Sequence, residues 1–214
     1  MKITVFGATG QTGRHVLREL LSRGHAVTAL ARDPARVEQA LREQYPDQLQ
    51  VVQGDLLDNN AVTAALQGSE GFIFAAGAVR GSPPDLPARA AESVLAAARE
   101  VGVSRFVWLL GAAVMDPRDQ SDAMRTIMRL LMKLVARSML ESSEQAYRRI
   151  VDSGLDYTVV RPPVLSNKPA QGALSGSYQP PKPSPISRAD LAAFMVDALD
   201  DPKWHRESPM VCYA

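Results

Sequence analysis

Cysteine is nearly missing from this chain: there is one, Cys212, in 214 residues. No internal disulfide is possible, and a reducing, cytoplasmic setting is the expectation. Long apolar runs are missing too. No uncharged stretch approaches the ~20 residues of a membrane-spanning helix, and "MKITVFGATG" is too short in apolar residues for a secretory leader. Neither sign of charge dominates. The 24 basic residues stand against 23 acidic ones, which removes the electrostatic case for a dedicated nucleic-acid binder. His15, His25 and His205 are scattered without metal-ligand spacing, so no metal site is expected, and no Ser-His-Asp arrangement is visible. Repeats and low-complexity tracts are absent. The Pro-rich "YQPPKPSPIS" (178–187) reads as a surface loop, too short to link two domains.

What is present is an alternation of apolar runs and helical patterns. "KITVFG" (2–7), "AVTALA" (26–31), "LQVVQG" (49–54), "GFIFAAG" (71–77), "RFVWLLG" (105–111), "DYTVVRP" (156–162) and "MVCYA" (210–214) read as strands. Helices fit between them at 11–23, 37–45, 58–67, 85–101 and 187–200. Continuous apolar strands alternating with helices indicate a parallel sheet covered on both faces, and right-handed crossovers make it a doubly wound α/β sheet in one domain. Ser187, three residues before Asp190, resembles a capping box with Asp in the Glu position. Cys212 and Tyr213 are expected to be packing residues.

"VFGATGQTGRHVL" places Gly7, Gly10 and Gly13 between the first strand and the first helix. A pyrophosphate needs close backbone approach, free N–H groups and the positive end of a helix dipole. The glycines allow the approach, the helix N-terminus supplies the rest, and Thr9, Gln11 and Thr12 add side-chain donors. The strand–turn–helix context at the start of an α/β pattern is what makes such a motif specific.

The spacing is G-x-x-G-x-x-G. With "FGATGQTGR", "ARDPARV", "GDLLD", "SGLDYTVVRPP" and "ISRADLAAFM" in order along the chain, it resembles the atypical short-chain dehydrogenase/reductases, in their NmrA-like and flavin reductase (biliverdin-IXβ reductase)-like branch. That resemblance implies a Rossmann fold and an NAD(P) cofactor. The second strand ends "ALARDPAR", with Arg32 at its tip, Arg36 one turn on and Arg14 beside the phosphate loop. Guanidinium groups there favour NADP(H) over NAD(H), because they grip a 2′-phosphate. Arg36 alone reads equally well as a surface arginine. Asp33 is expected to point away or cap the following turn. By resemblance Asp55 and Leu56 flank the adenine, although Asp55 also reads as a turn cap. Ala75, Ala76 and Gly77 follow the fourth strand and let a ribose lie against the backbone.

In conventional members of the group a serine ends the fifth strand, and a helix carries Tyr-x-x-x-Lys. Here Gly111 stands where the serine is sought. Tyr147 begins "YRRIV", so Val151 takes the lysine position. Ungapped alignment on "SGLDYTVVRP" instead puts Met139 and Ser143 at the tyrosine and lysine positions. Tyr147 therefore reads as a packing or surface residue, and no side-chain catalyst is assigned. Gly111, Pro162, Pro163 and Val164 are expected at the nicotinamide, with Ala112, Met115 and Leu165 on the substrate side. Arg80 reads either as an anion-binding residue or as an exposed loop arginine, and Arg161 as a structural donor. Substrate-side elements fall at about 112–146 and 162–186.

Two functions fit: an NADPH-dependent reductase passing hydride directly to a conjugated small molecule (flavin, quinone or tetrapyrrole), or a non-catalytic NADP(H)-sensing regulator in the NmrA manner. An epimerase or dehydratase fits less well, because it normally needs the missing acid–base pair. Within 118–152, Met124, Ile127, Met128, Leu131, Leu134 and Val135 share a helical face beside Arg125, Arg129, Lys133 and Arg137. The ordinary reading is a buried apolar face and a solvated basic one. A lid, a homodimer interface and a membrane-surface contact stand beside it, and a break is expected near Ser138–Ser143.

Overall fold

The computed structural model describes all residues except 78–80, 122 and 181–183, and leaves out the side chains of 123–125 and 128. The apolar runs form β1 (Lys2–Phe6), β2 (Ala26–Ala31), β3 (Leu49–Gln53), β4 (Gly71–Phe74), β5 (Arg105–Leu109) and β6 (Asp156–Val160). All pair in parallel, in the order β3-β2-β1-β4-β5-β6. The helices are α1 (Gly13–Ser22), α2 (Gln39–Gln44), α3 (Asn59–Leu66), α4 (Leu86–Val101), α5 (Ala123–Val135), α6 (Arg137–Val151) and α7 (Arg188–Asp200). This is a doubly wound Rossmann sheet, whose strand order reverses direction between β1 and β4.

The two faces of the sheet are filled differently. Ile3 and Val5 of β1 join Leu17 and Leu20 of α1 and Leu191 and Met195 of α7 in an aliphatic layer. The alternate residues face α3, α4 and α6, and there the layer is aromatic: Phe6, Phe72, Phe74, Phe106 and Trp108. The parallel register sets Phe72 beside Phe106 and Phe74 beside Trp108. Both pairs stack, with ring centroids 4.7 and 3.7 Å apart. Such pairs contribute about 0.5–1.5 kcal/mol beyond their buried area.

Three sequence expectations change. Residues 206–211 do track the free edge of β6 in parallel, as the amides of Val159 and Arg161 donate to the carbonyls of Glu207 and Pro209. Pro209 has no N–H, however, and the ladder is reduced to isolated bridges. The last strand, Met210–Tyr213, instead pairs antiparallel with Leu174–Ser177. The break in the 118–152 segment falls at Ala136, two residues before the expected stretch, with φ −142° and ψ 43°. Ser187 does cap α7, its hydroxyl accepting from the amide of Ala189, but Asp190 does not close the box. Its carboxylate accepts instead from the amide of Gln171, 2.8 Å away, and from the Tyr213 hydroxyl. Tyr213 thus does more than pack.

Candidate functional site

A cleft of about 870 Å³ lies along the carboxyl ends of β1, β4, β5 and β6, at the point where the strand order reverses. Its phosphate end is built on glycine. Gly7 has φ +81°, and a Cβ there would meet the Ala76 backbone at 2.5 Å. A Cβ on Gly13 would lie 2.0 Å from the Gly7 carbonyl oxygen. The first turn of α1 is thereby drawn tight onto β1. Thr12, the N-cap, makes no side-chain capping bond, and among the described residues the amides of Gln11 and Thr12 donate to no backbone carbonyl. Free donors at a helix N-terminus that no side chain occludes fit a dinucleotide pyrophosphate.

The structure brings Thr9, Gly10, Gln11, Thr12, Arg14, Arg36, Leu56, Ala75, Ala76, Gly77, Gly111, Pro162, Pro163 and Leu165 to the cleft wall. Gly7 and Gly13 lie beneath it as spacers. Arg32 and Asp55 are not on the wall. They face each other across 4.0 Å, both largely exposed, a pairing too loose to hold the guanidinium in place. The Asp33 carboxylate accepts from the amide of Ala35, as a cap, which takes it away from a ribose. Asp55 accepts from the amide of Leu57 at 2.9 Å, the turn-capping alternative. Val164 and Met115 are exposed and off the wall, and Ala112, half-buried, is off it too. Arg80 lies outside the described residues.

Sequence reasoning did not find the floor and far wall. The stacked Phe74 and Trp108 form the floor, and Leu86, Pro87 and Ala90 of α4 face Met139 and Ser143 of α6. A signal was available: "GFIF" and "RFVW" carry aromatics two residues apart near the ends of two strands. Arg188, at the start of α7, also lines the cleft and donates to Asn167 at 2.8 Å. Met139 and Ser143, the positions that ungapped alignment gives to tyrosine and lysine, are both at the wall, whereas Tyr147 is not.

Tyr147 is buried among the α3/α4/α6 layer. Its hydroxyl donates to Asp116 at 2.5 Å and lies 3.3 Å from Ser208 Oγ. Burial, and then the Asp116 carboxylate, push its pKa well above the ordinary phenol value, so it holds its proton. Burial works to raise the Asp116 carboxyl, but hydrogen bonds from Arg118 and Tyr147 outweigh it and hold the group below its usual range. Arg161, fully buried, donates to both oxygens of Asp119 at 2.7 Å and to the carbonyls of Val114 and Ser208. The Ala112 amide donates to Pro162. Together these bonds pin the loop after Gly111.

The depressed Asp116 carboxyl has a pH consequence. A group whose folded pKa lies below its unfolded one stabilises the fold above the unfolded value. That stability disappears as pH falls through the folded value. Asp116→Asn is expected to lower the urea midpoint at neutral pH and to flatten its decline below about pH 4. An acid limb as steep as that of the parent would sink the assignment.

This glycine cradle on a Rossmann sheet defines a nicotinamide-dinucleotide-binding protein. The NAD(P)H-binding family model matches residues 7–202, and the chain belongs to that family. An uncharacterised chloroplastic protein of Arabidopsis thaliana is 32% identical over 80% of this chain and 61% of its own length. Divinyl chlorophyllide a 8-vinyl-reductase of Oryza sativa is 31% identical over 93% of this chain and 51% of its own. The chain thus spans about half to three-fifths of the length of these relatives. A Rossmann-fold NAD(P)-binding family protein from Shigella flexneri superposes with a TM-score of 0.73 at 27% identity, covering 98% of this chain and 92% of the other. Among the described residues no cluster suits a metal ion, and no helix is long and apolar enough to cross a membrane.

Proposed function

We propose that the protein is an NADPH-dependent reductase that delivers hydride directly to a planar conjugated small molecule. The observation that carries this reading is the make-up of the cleft wall. Beyond the phosphate cradle it is aromatic and aliphatic, and its titratable groups are Arg14, Arg36 and Arg188, with no Asp, Glu, His, Lys, Tyr or Cys among the described lining residues. Arginine keeps its proton throughout the physiological range, so the wall offers no general acid. A carbonyl reduced to an alcohol needs a proton at its oxygen. A flavin, quinone or tetrapyrrole takes hydride into its conjugated system and draws the proton from water.

Bound NADPH supplies the hydride. The chain's own residues position and exclude water: Gly7, Gly10 and Gly13 seat the pyrophosphate, while Ala75, Ala76 and Gly77 lie under the ribose. Gly111, Pro162 and Pro163 back the nicotinamide, and Leu86, Pro87 and Met139 form the apolar surface on which a flat acceptor lies, over the buried Phe74–Trp108 stack. The substrate side comprises 112–146 and 162–186. The 2′-phosphate falls to Arg14 and Arg36, with Arg32 at the rim. The vinyl reductase among the relatives, whose name specifies a chlorophyllide, supports a tetrapyrrole within the acceptor class.

The test is loss of NADPH absorbance with FMN, a quinone and a biliverdin in turn. Turnover on one of them well above the protein-free rate is the expected result. Tight NADPH binding with no turnover on any of the three would instead support the redox-sensing regulator. Arg36→Glu and Arg32→Glu are each expected to weaken NADPH binding at least about tenfold more than NADH binding, a difference of ~1.4 kcal/mol. Equal losses would remove the 2′-phosphate role.

A further inference from the structure

Helix α5 faces the wrong way for an isolated globular protein. Ile127, Leu130, Leu131, Leu134 and Val135 recur at helical spacing along one side. That side is open to solvent: Leu134 and Val135 are 83% and 88% exposed, and the other three are 51–56% exposed. On the opposite side Arg129 turns toward the body to pair with Glu144 of α6, while Lys133 stays in solvent. The apolar face that was expected to be buried is thus open at each of these five residues. The chain breaks at Ala136, between α5 and α6, and α5 packs mainly against α6 among the described residues. Met139, just beyond the break, lines the cleft.

We propose that this face docks on an anionic lipid surface, with α5 lying in the plane of the interface. The charge pattern selects that occupant. No acidic residue occurs from Ala123 to Leu140, and Lys133 and Arg125 fall by spacing at the two margins of the apolar arc. Segment 123–152 carries six basic residues against three acidic ones, in a chain that is otherwise close to balance. Lys133 is exposed and makes no ion pair among the described residues. Apolar residues flanked by lysine and arginine are the composition of helices that lie at the headgroup level of charged bilayers. A second copy applied to the same face would set basic margins against basic margins with no acid to meet them. The inference holds whatever the cleft reduces.

The full chain is to be sedimented with vesicles of phosphatidylglycerol mixed with phosphatidylcholine, and with vesicles of phosphatidylcholine alone. Binding at least about tenfold tighter to the anionic vesicles is expected, weakening as salt is raised. The double variant Leu134→Asp with Val135→Asp should lose that binding at least about tenfold, while NADPH still raises its melting temperature as in the parent. Both side chains are exposed, so folding is not at stake. Failure to bind either vesicle, or binding that the double variant leaves intact, would overturn the proposal. So would a dimer that the double variant disperses without any vesicle binding, which would assign the face to a second copy.

Discussion

Arg161→Met should lower the stability of the fold by about 3–5 kcal/mol, the usual cost of removing one partner from a buried ion pair. Arg161 and Asp119 have no side-chain exposure, and the guanidinium meets both carboxylate oxygens at 2.7 Å. Without it, the buried carboxylate of Asp119 loses both guanidinium bonds, and the carbonyls of Val114 and Ser208 lose a donor. Those groups lie in two separate segments, so the loss spreads to the loop after Gly111 and to the segment before Met210. For a domain of this size the midpoint should fall by roughly 10 °C. Lysine cannot reproduce the two-pronged contact, so Arg161→Lys should recover little. Adding Asp119→Leu to Arg161→Met should restore part of the loss, because it removes the stranded charge. Thermal scans of the four proteins test this. A single variant within about 1 kcal/mol of the parent would show that the pair is not what holds the loop.

Gly13→Ala is expected to abolish measurable NADPH binding, with a Kd at least about a hundredfold higher, or ~2.7 kcal/mol. The new methyl would lie 2.0 Å from the Gly7 carbonyl oxygen and 2.7 Å from its carbonyl carbon. Both are backbone atoms, so the phosphate loop must move away from the helix that supports its free amides. Forcing a methyl into a packed position costs about 1–3 kcal/mol, little enough that the domain should stay folded. The thermal shift on adding NADPH is therefore the readout. Gly10→Ala should be milder, because its Cβ would meet the same oxygen at 3.1 Å. Equal effects at the two positions would mean that conformational freedom, rather than close approach, is what the glycines provide.

Much of the fold was legible because its signals are local. Each of the six parallel strands is built round a short apolar stretch, and the glycine turn announces its own place after β1. What was not legible depends on pairs distant in sequence. Arg161 reads as a structural donor from its position alone, but nothing in "VVRPP" identifies Asp119 as its partner. Tyr147 reads as a packing or surface residue, yet its bond to Asp116 joins residues 31 apart. The final strand misleads because "MVCYA" is as apolar as its neighbours, while the interruption comes from the proline just before it. The orientation of α5 was not legible either. Periodicity shows that a helix has two faces, but not which one meets the protein.

The two tryptophans occupy very different surroundings. Trp108 is stacked on Phe74 in the cleft floor, while Trp204 lies across the sheet against Phe194. Reduced nicotinamide absorbs in the range where indole emits. Binding of a reduced nicotinamide in the cleft would thus dim the two indoles unequally, and the chain's own emission would follow it.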